Sequence, residues 1–116
     1  MNHSSVEQFG LLYLERYAAK DMEAMEGMFD EQIVLRDWKI YVSGKKAALS
    51  ETQKNFNAAE SIEIDVLSTI VDNNTFAGEL RITVDKHEVL YVVDVIEFTP
   101  DLKIKSIRAY LGRGND

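Results

Sequence analysis

The sequence predicts an α+β fold in which helices cover one face of a curved, mostly antiparallel sheet, and two observations carry that prediction. Apolar residues recur at helical spacing in the first half of the chain, around one strand-like stretch. From Ser61 onward they alternate with polar residues at a period of two, with turn formers between the runs. Helical and sheet segments segregated in this way indicate α+β rather than alternating α/β architecture.

The first helix is read over residues 6–19 from Val6, Phe9, Tyr13 and Tyr17, which fall on one helical stripe. Tyr13 therefore faces inward. Lys20-Asp21 breaks the pattern, Asp21 is a good N-cap, and Met22, Met25, Met28 and Phe29 form the apolar side of a short second helix. Residues 32–41 change period: Ile33, Leu35 and Asp37 lie on one side, Val34, Arg36, Trp38 and Ile40 on the other, which predicts a strand. Ser43-Gly44 is a turn and helix start. Residues 45–56 read as a third, more polar helix with Ala48, Leu49, Thr52 and Phe56 toward the core. Four strands follow, at residues 62–71, 76–84, 89–98 and 104–111, separated by Asp72-Asn73-Asn74, Asp85-Lys86-His87 and Thr99-Pro100-Asp101. An antiparallel meander is expected of them.

Composition narrows the function classes. The 116 residues, 46% hydrophobic and 28% charged, fit one globular domain spanning residues 1–116. A net charge of −7 repels phosphates, so nucleic acid is not expected as a partner. The basic residues Lys45, Lys46, Lys103, Lys105, Arg108 and Arg113 are interleaved with apolar positions and read as a solvated or interface face. With no cysteine there is neither a disulfide nor a thiolate site. The N-terminal stretch lacks the pattern of a signal peptide and no run approaches the roughly 18 apolar residues of a spanning helix, so no membrane is expected and a cytoplasmic location is. His3 and His87 stand in a terminus and a turn, which gives no basis for a metal site, and no cofactor is expected. Gly112-Arg113-Gly114 precedes no helix and reads as a tail rather than an anion cradle.

One residue does not fit its strand. Leu90, Val92, Asp94, Ile96 and Phe98 share a face, and Asp94 is the charged residue on that otherwise apolar face. Burying an unpaired carboxylate is costly, so such a group either finds partners or takes up a proton. One reading is a structural aspartate satisfied by backbone donors or by Arg108; the other is a functional site. Asp37 shares the pattern beyond Ile33 and Leu35, although a strand-end aspartate also forms turns. Tyr13 reads either as core or as a polar occupant of a pocket.

Together these positions resemble ketosteroid isomerase. The stretch from Tyr13 to Asp37, with Asp21-Met22 and Met28-Phe29-Asp30 between them, is similar to that enzyme without a gap, and Val93-Asp94-Val95-Ile96-Glu97-Phe98 with Lys103-Ile104-Lys105-Ser106-Ile107-Arg108-Ala109 and Gly112 is similar to its last two strands. The chain is identified as a member of the nuclear-transport-factor-2-like superfamily, in its ketosteroid isomerase or SnoaL-like polyketide cyclase branch. The resemblance implies a cystatin-like cone, with three N-terminal helices packed in the concave face of the sheet around a deep cavity. It implies Asp37 as general base and Tyr13 and Asp94 as donors to a developing enolate oxygen, Asp94 being kept neutral by its apolar site. Trp38 replaces the proline that follows the base in the enzyme, and the segment from Asp37 to Ser43-Gly44 is shorter, which argues against a steroid-sized substrate. Trp38, Ile96, Phe98, Ala109 and Leu111 are the candidate substrate-binding walls.

Two functions of different kinds follow. One is a proton-transfer enzyme of isomerase, cyclase or dehydratase type acting on a small apolar carbonyl compound. The other is a non-catalytic ligand-binding or dimerisation module of the same fold. With either, the outer sheet face carrying Tyr91, Val93 and Val95 is expected to join a homodimer.

Overall fold

The computed structural model describes residues 3–114. The helices are α1 (His3–Ala18), α2 (Met22–Met28) and α3 (Lys45–Ala58); the strands are β1 (Phe29–Arg36), β2 (Tyr41–Ser43), β3 (Ile62–Asp72), β4 (Thr75–Val84), β5 (Glu88–Phe98) and β6 (Ile104–Leu111). Among these residues no helix is long and apolar enough to cross a membrane.

Local chemistry sets the helix ends. The Lys20 amide donates to the Tyr17 carbonyl and the Asp21 amide to the Arg16 carbonyl, at 2.9 and 3.0 Å, closing α1 with Lys20 left-handed at φ 57. The Lys20 Nζ also donates to the Ala59 carbonyl, tying the end of α1 to the end of α3. Asp21 then caps α2 by accepting from the Ala24 amide at 3.0 Å. Gly44, at φ 95, opens α3 in a backbone conformation that side chains disfavour. On its inner side Thr52 donates to the Ala48 carbonyl at 2.8 Å, so its buried hydroxyl is satisfied.

The strands form one sheet in the order β2-β1-β6-β5-β4-β3. The expected meander of β3 to β6 is present, each pair antiparallel; β1 joins it alongside β6 in parallel, and β2 pairs antiparallel with β1. Here the structure corrects the sequence reading, in which residues 32–41 formed one strand. The strand starts earlier, at Phe29, and stops at Arg36. Asp37 Oδ1 accepts the amides of Lys39 and Ile40, and the Asp37 amide donates to the Ile40 carbonyl. The side chain thus captures backbone donors that a continuing strand would have offered to a neighbour, and the chain reverses into β2.

The helices lie in the concave face. Val6, Leu14, Met25, Phe56, Leu80 and Ile107 are among the buried apolar side chains they enclose. Gly10 lets α1 settle directly on the ring of Phe76, because a Cβ at this position would come within 2.4 Å of it.

Candidate active site

Asp94 lies in the middle of β5 on the concave face, only 9% exposed. Its cross-strand neighbours are Gly78 on β4 and Ala109 on β6. Both are small, so the carboxyl stands in a niche. Arg108, the partner considered from sequence, is on the opposite face and donates to Glu97 and Ser106. No hydrogen bond or ion pair reaches the Asp94 carboxyl among the described residues. Burial first, and the Asp37 carboxylate second, push it up to about 7.

That shift has a signed consequence for stability. A raised carboxyl pKa means that the folded protein holds the proton more tightly than the unfolded chain does. The stabilising contribution is complete below 3.8 and is lost as pH rises through about 7. Its size is on the order of a few kcal/mol. Asparagine copies the shape of the neutral acid, so Asp94→Asn is expected to gain on the wild type in urea-unfolding stability as the pH is raised across that interval. Parallel stability curves for the two proteins would refute the assignment.

Tyr13 is 4% exposed, and its phenol is pushed well above the ordinary value by burial, then by Asp94 and then by Tyr17. Among the described residues no side-chain oxygen or nitrogen sealed from solvent lacks a hydrogen bond. The Tyr13 hydroxyl and the Asp94 carboxyl have no hydrogen-bond partner there, so each keeps a small accessible surface. One helical turn on, Tyr17 has its ring 5.9 Å from that of Tyr13 and packs edge-on against Phe56 at 4.9 Å. Its hydroxyl accepts from Asn55 Nδ2 at 3.3 Å. Burial raises the Tyr17 phenol, the Asn55 bond lowers it, and Asp94 and Asp37 raise it.

Asp37 closes the far side. Arg36 stands opposite Arg108 in the parallel register, which brings Asp37 beside Ala109, and Ala109 pairs with Asp94. The two aspartates are thus two strand spacings apart, roughly 9 to 10 Å between backbones. Oδ1 of Asp37 is held by the amides of Lys39 at 2.7 Å and Ile40 at 2.9 Å. Oδ2 has no partner among the described residues. The structure therefore brings Tyr13, Asp37 and Asp94 around one part of the concave face.

The candidate wall residues are distributed differently. Ala109 is half-buried between the two aspartates, whereas Ile96 and Phe98 are fully buried in the core. Trp38 in the β1–β2 turn and Leu111 at the end of β6 are 42% and 47% exposed. Leu111 also lines a shallow groove of about 410 Å³ with Val89, Leu90, Tyr91, Gly112 and Gly114, which contains none of the three polar candidates. Among the described residues no three His, Cys, Asp or Glu side chains gather as metal ligands. Sequence reasoning missed Tyr17 and Asn55 as members of the polar cluster. Tyr17 was within reach, standing four residues after Tyr13 on the same stripe. Asn55 comes from another helix and carried no local signal.

A curved, unclosed sheet wrapped around three helices, with a polar cluster on its concave face, defines a nuclear-transport-factor-2-like protein. The chain belongs to the SnoaL-like domain family, whose model matches residues 12–107. Among solved structures it is similar to a SnoaL-like protein of unknown function from Burkholderia thailandensis, with TM-score 0.85 and 13% identity over 97% of this chain and 99% of that one. It is similar also to a protein from Kribbella flavida provisionally named a ketosteroid isomerase, with TM-score 0.80 and 14% identity over 97% and 82% of the two chains. A third is an epoxide hydrolase of M. tuberculosis, with TM-score 0.81 and 12% identity over 94% and 84%. At these identities the likeness is one of fold. No curated protein matches the sequence.

Proposed function

We propose that this protein takes a small carbonyl compound into the concave face and moves a proton beside the carbonyl. The observation that carries the reading is Asp94: a buried carboxyl without a partner, near protonation at neutral pH and in electrostatic contact with Tyr13. A neutral acid and a phenol are the two donors that an enolate oxygen requires, and Oδ2 of Asp37 is the base across from them. The shape of the site leaves Asp37 nearer the rim, in its turn, where a substrate carbon can reach it. Fold neighbours that carry the names of an isomerase and of an epoxide hydrolase support an enzymatic reading in general terms. The test is a panel of β,γ-unsaturated ketones and small polyketide mimics, scored for turnover and for exchange of α-protons in deuterated water.

A second reading is favoured by one observation. Both amides held by Oδ1 give Asp37 a turn-forming role that needs no catalysis. Binding of ketones or phenols with neither turnover nor proton exchange would select a non-catalytic pocket protein.

The convex face is proposed to pair two copies in either case. Val93 and Tyr110 are exposed there, and the neighbouring Arg36, Arg81 and Arg108 are matched on the same face by Asp65, Glu79 and Glu97. That local balance lets two copies of an acidic protein meet without repulsion. Light scattering at micromolar concentration is expected to give a dimer, and Val93→Glu a monomer; a monomeric wild type removes the proposal.

A further inference from the structure

We propose that Tyr17, held by Asn55, is a second ligand-binding hydroxyl, and that the molecule this site takes carries a further acceptor oxygen beside its carbonyl. The inference rests on the pocket reading above and narrows the substrate class. It means a ketone bearing a second carbonyl or a hydroxyl group, rather than a plain hydrocarbon ketone.

The direction of one hydrogen bond leaves the Tyr17 hydroxyl with a proton to give. Asn55 Nδ2 donates to the Tyr17 oxygen, so that contact occupies a lone pair and leaves the phenolic proton unused. No acceptor takes that proton among the described residues. The ring itself has little freedom, being clamped between Tyr13 and the edge of Phe56. A hydroxyl fixed in this way is pre-organised to donate, which is how a binding group avoids the cost of ordering at the moment of binding.

Its position matters equally. Tyr13 and Tyr17 are successive members of one inward stripe of α1, one helical turn apart, with ring centres 5.9 Å from each other. Tyr17 is the less buried of the two, and Asn55 on α3 is exposed, which puts this pair toward the rim while Tyr13 and Asp94 lie deeper. Asp37 and Asp94 are both close enough to raise the Tyr17 phenol, so Tyr17 stands by the same part of the concave face. A ligand whose carbonyl rests against Tyr13 and which extends toward the rim comes beside Tyr17, whose ring is 5.9 Å from that of Tyr13. An apolar ligand would leave that donor desolvated and unpaired, whereas a second oxygen satisfies it.

The experiment uses fluorescence titration of the full chain with naphthols, which carry one hydroxyl, and with naphthalenediols bearing a second hydroxyl at each ring position. Tyr17→Phe keeps the ring and its packing, and its melting temperature serves as the check on folding. Tyr13→Phe is expected to weaken every binder. Tyr17→Phe is expected to leave the naphthols unchanged and to weaken at least one diol by about tenfold, the size of one neutral hydrogen bond. Asn55→Ala should lower affinity for the same diol by less. Equal effects of Tyr17→Phe on naphthols and diols, or none on either, with Tyr13→Phe still effective, overturn the proposal and leave the pocket reading standing. If no naphthol or diol binds, or if Tyr13→Phe changes nothing, the pocket reading falls and this inference with it.

Discussion

Asp37→Asn is expected to lower turnover of a responsive ketone by roughly a hundred- to ten-thousandfold, the usual worth of a positioned general base. The choice of asparagine follows from the turn. Its amide oxygen can still accept the Lys39 and Ile40 amides that Oδ1 holds, so the β1–β2 reversal persists while the basic Oδ2 is replaced by an amide nitrogen. Binding of a planar phenolate should stay near wild type, because Tyr13 and Asp94 remain. Tyr13→Phe should behave differently, lowering both turnover and phenolate affinity, with a loss in turnover near a hundredfold or more for an oxyanion donor. Unchanged activity in Asp37→Asn removes the proposed mechanism. A large loss accompanied by a fall in melting temperature would instead mark Asp37 as a turn former, and a comparison with Asp37→Ser, whose hydroxyl keeps a weaker form of the turn, separates the two.

Gly10→Ala is expected to cost stability, against the usual direction for an exposed helix. Alanine favours a helix over glycine by about 1 kcal/mol. Here the added Cβ would lie 2.4, 2.5 and 2.7 Å from three ring atoms of Phe76, which is fully buried in β4. The ring has little room to yield, because it is enclosed on all sides in the core. Overpacking of this kind costs typically about 1 to 3 kcal/mol, and contacts this short belong at the upper end or beyond. A net loss of about 2 kcal/mol should lower the melting temperature by about 8 °C. Phe76→Leu should recover part of that loss in the double variant but not improve the single one, which a double-mutant cycle will read. A Gly10→Ala protein that melts higher than wild type would show that the helix and sheet are less closely packed than described.

Much of this arrangement was legible from the residues because it rests on local periodicity. The stripe through Val6 and Tyr13, the cap at Asp21 and the period-two strands from Ile62 onward are written in spacing alone, and they placed Asp94 on the concave face. What spacing could not show was competition and distance. Residues 37–40 alternate as a strand does, yet the Asp37 side chain out-competes the ladder for backbone donors. The parallel pairing of β1 with β6 and the meeting of Tyr17 with Asn55 join segments that share no local pattern. Asp94 was identified by its misfit, but that Arg108 would face away and pair with Glu97 needed the register of β5 against β6.

The parallel seam between β1 and β6 also governs when the site comes into existence. Leu35 pairs with Ile107, so the seam closes across most of the chain, a loop whose ordering must precede any return from the contact. Helices α1 to α3 and the hairpins among β3, β4 and β5 can each form from near neighbours. Asp37 meets Ala109 and Asp94 only once β6 has been made and docked. During synthesis β6 leaves the ribosome after the other eight elements described, so the two aspartates stay on separate, unjoined pieces until it has emerged. Any state of the chain in which β6 is not docked therefore has no site, whatever else has formed.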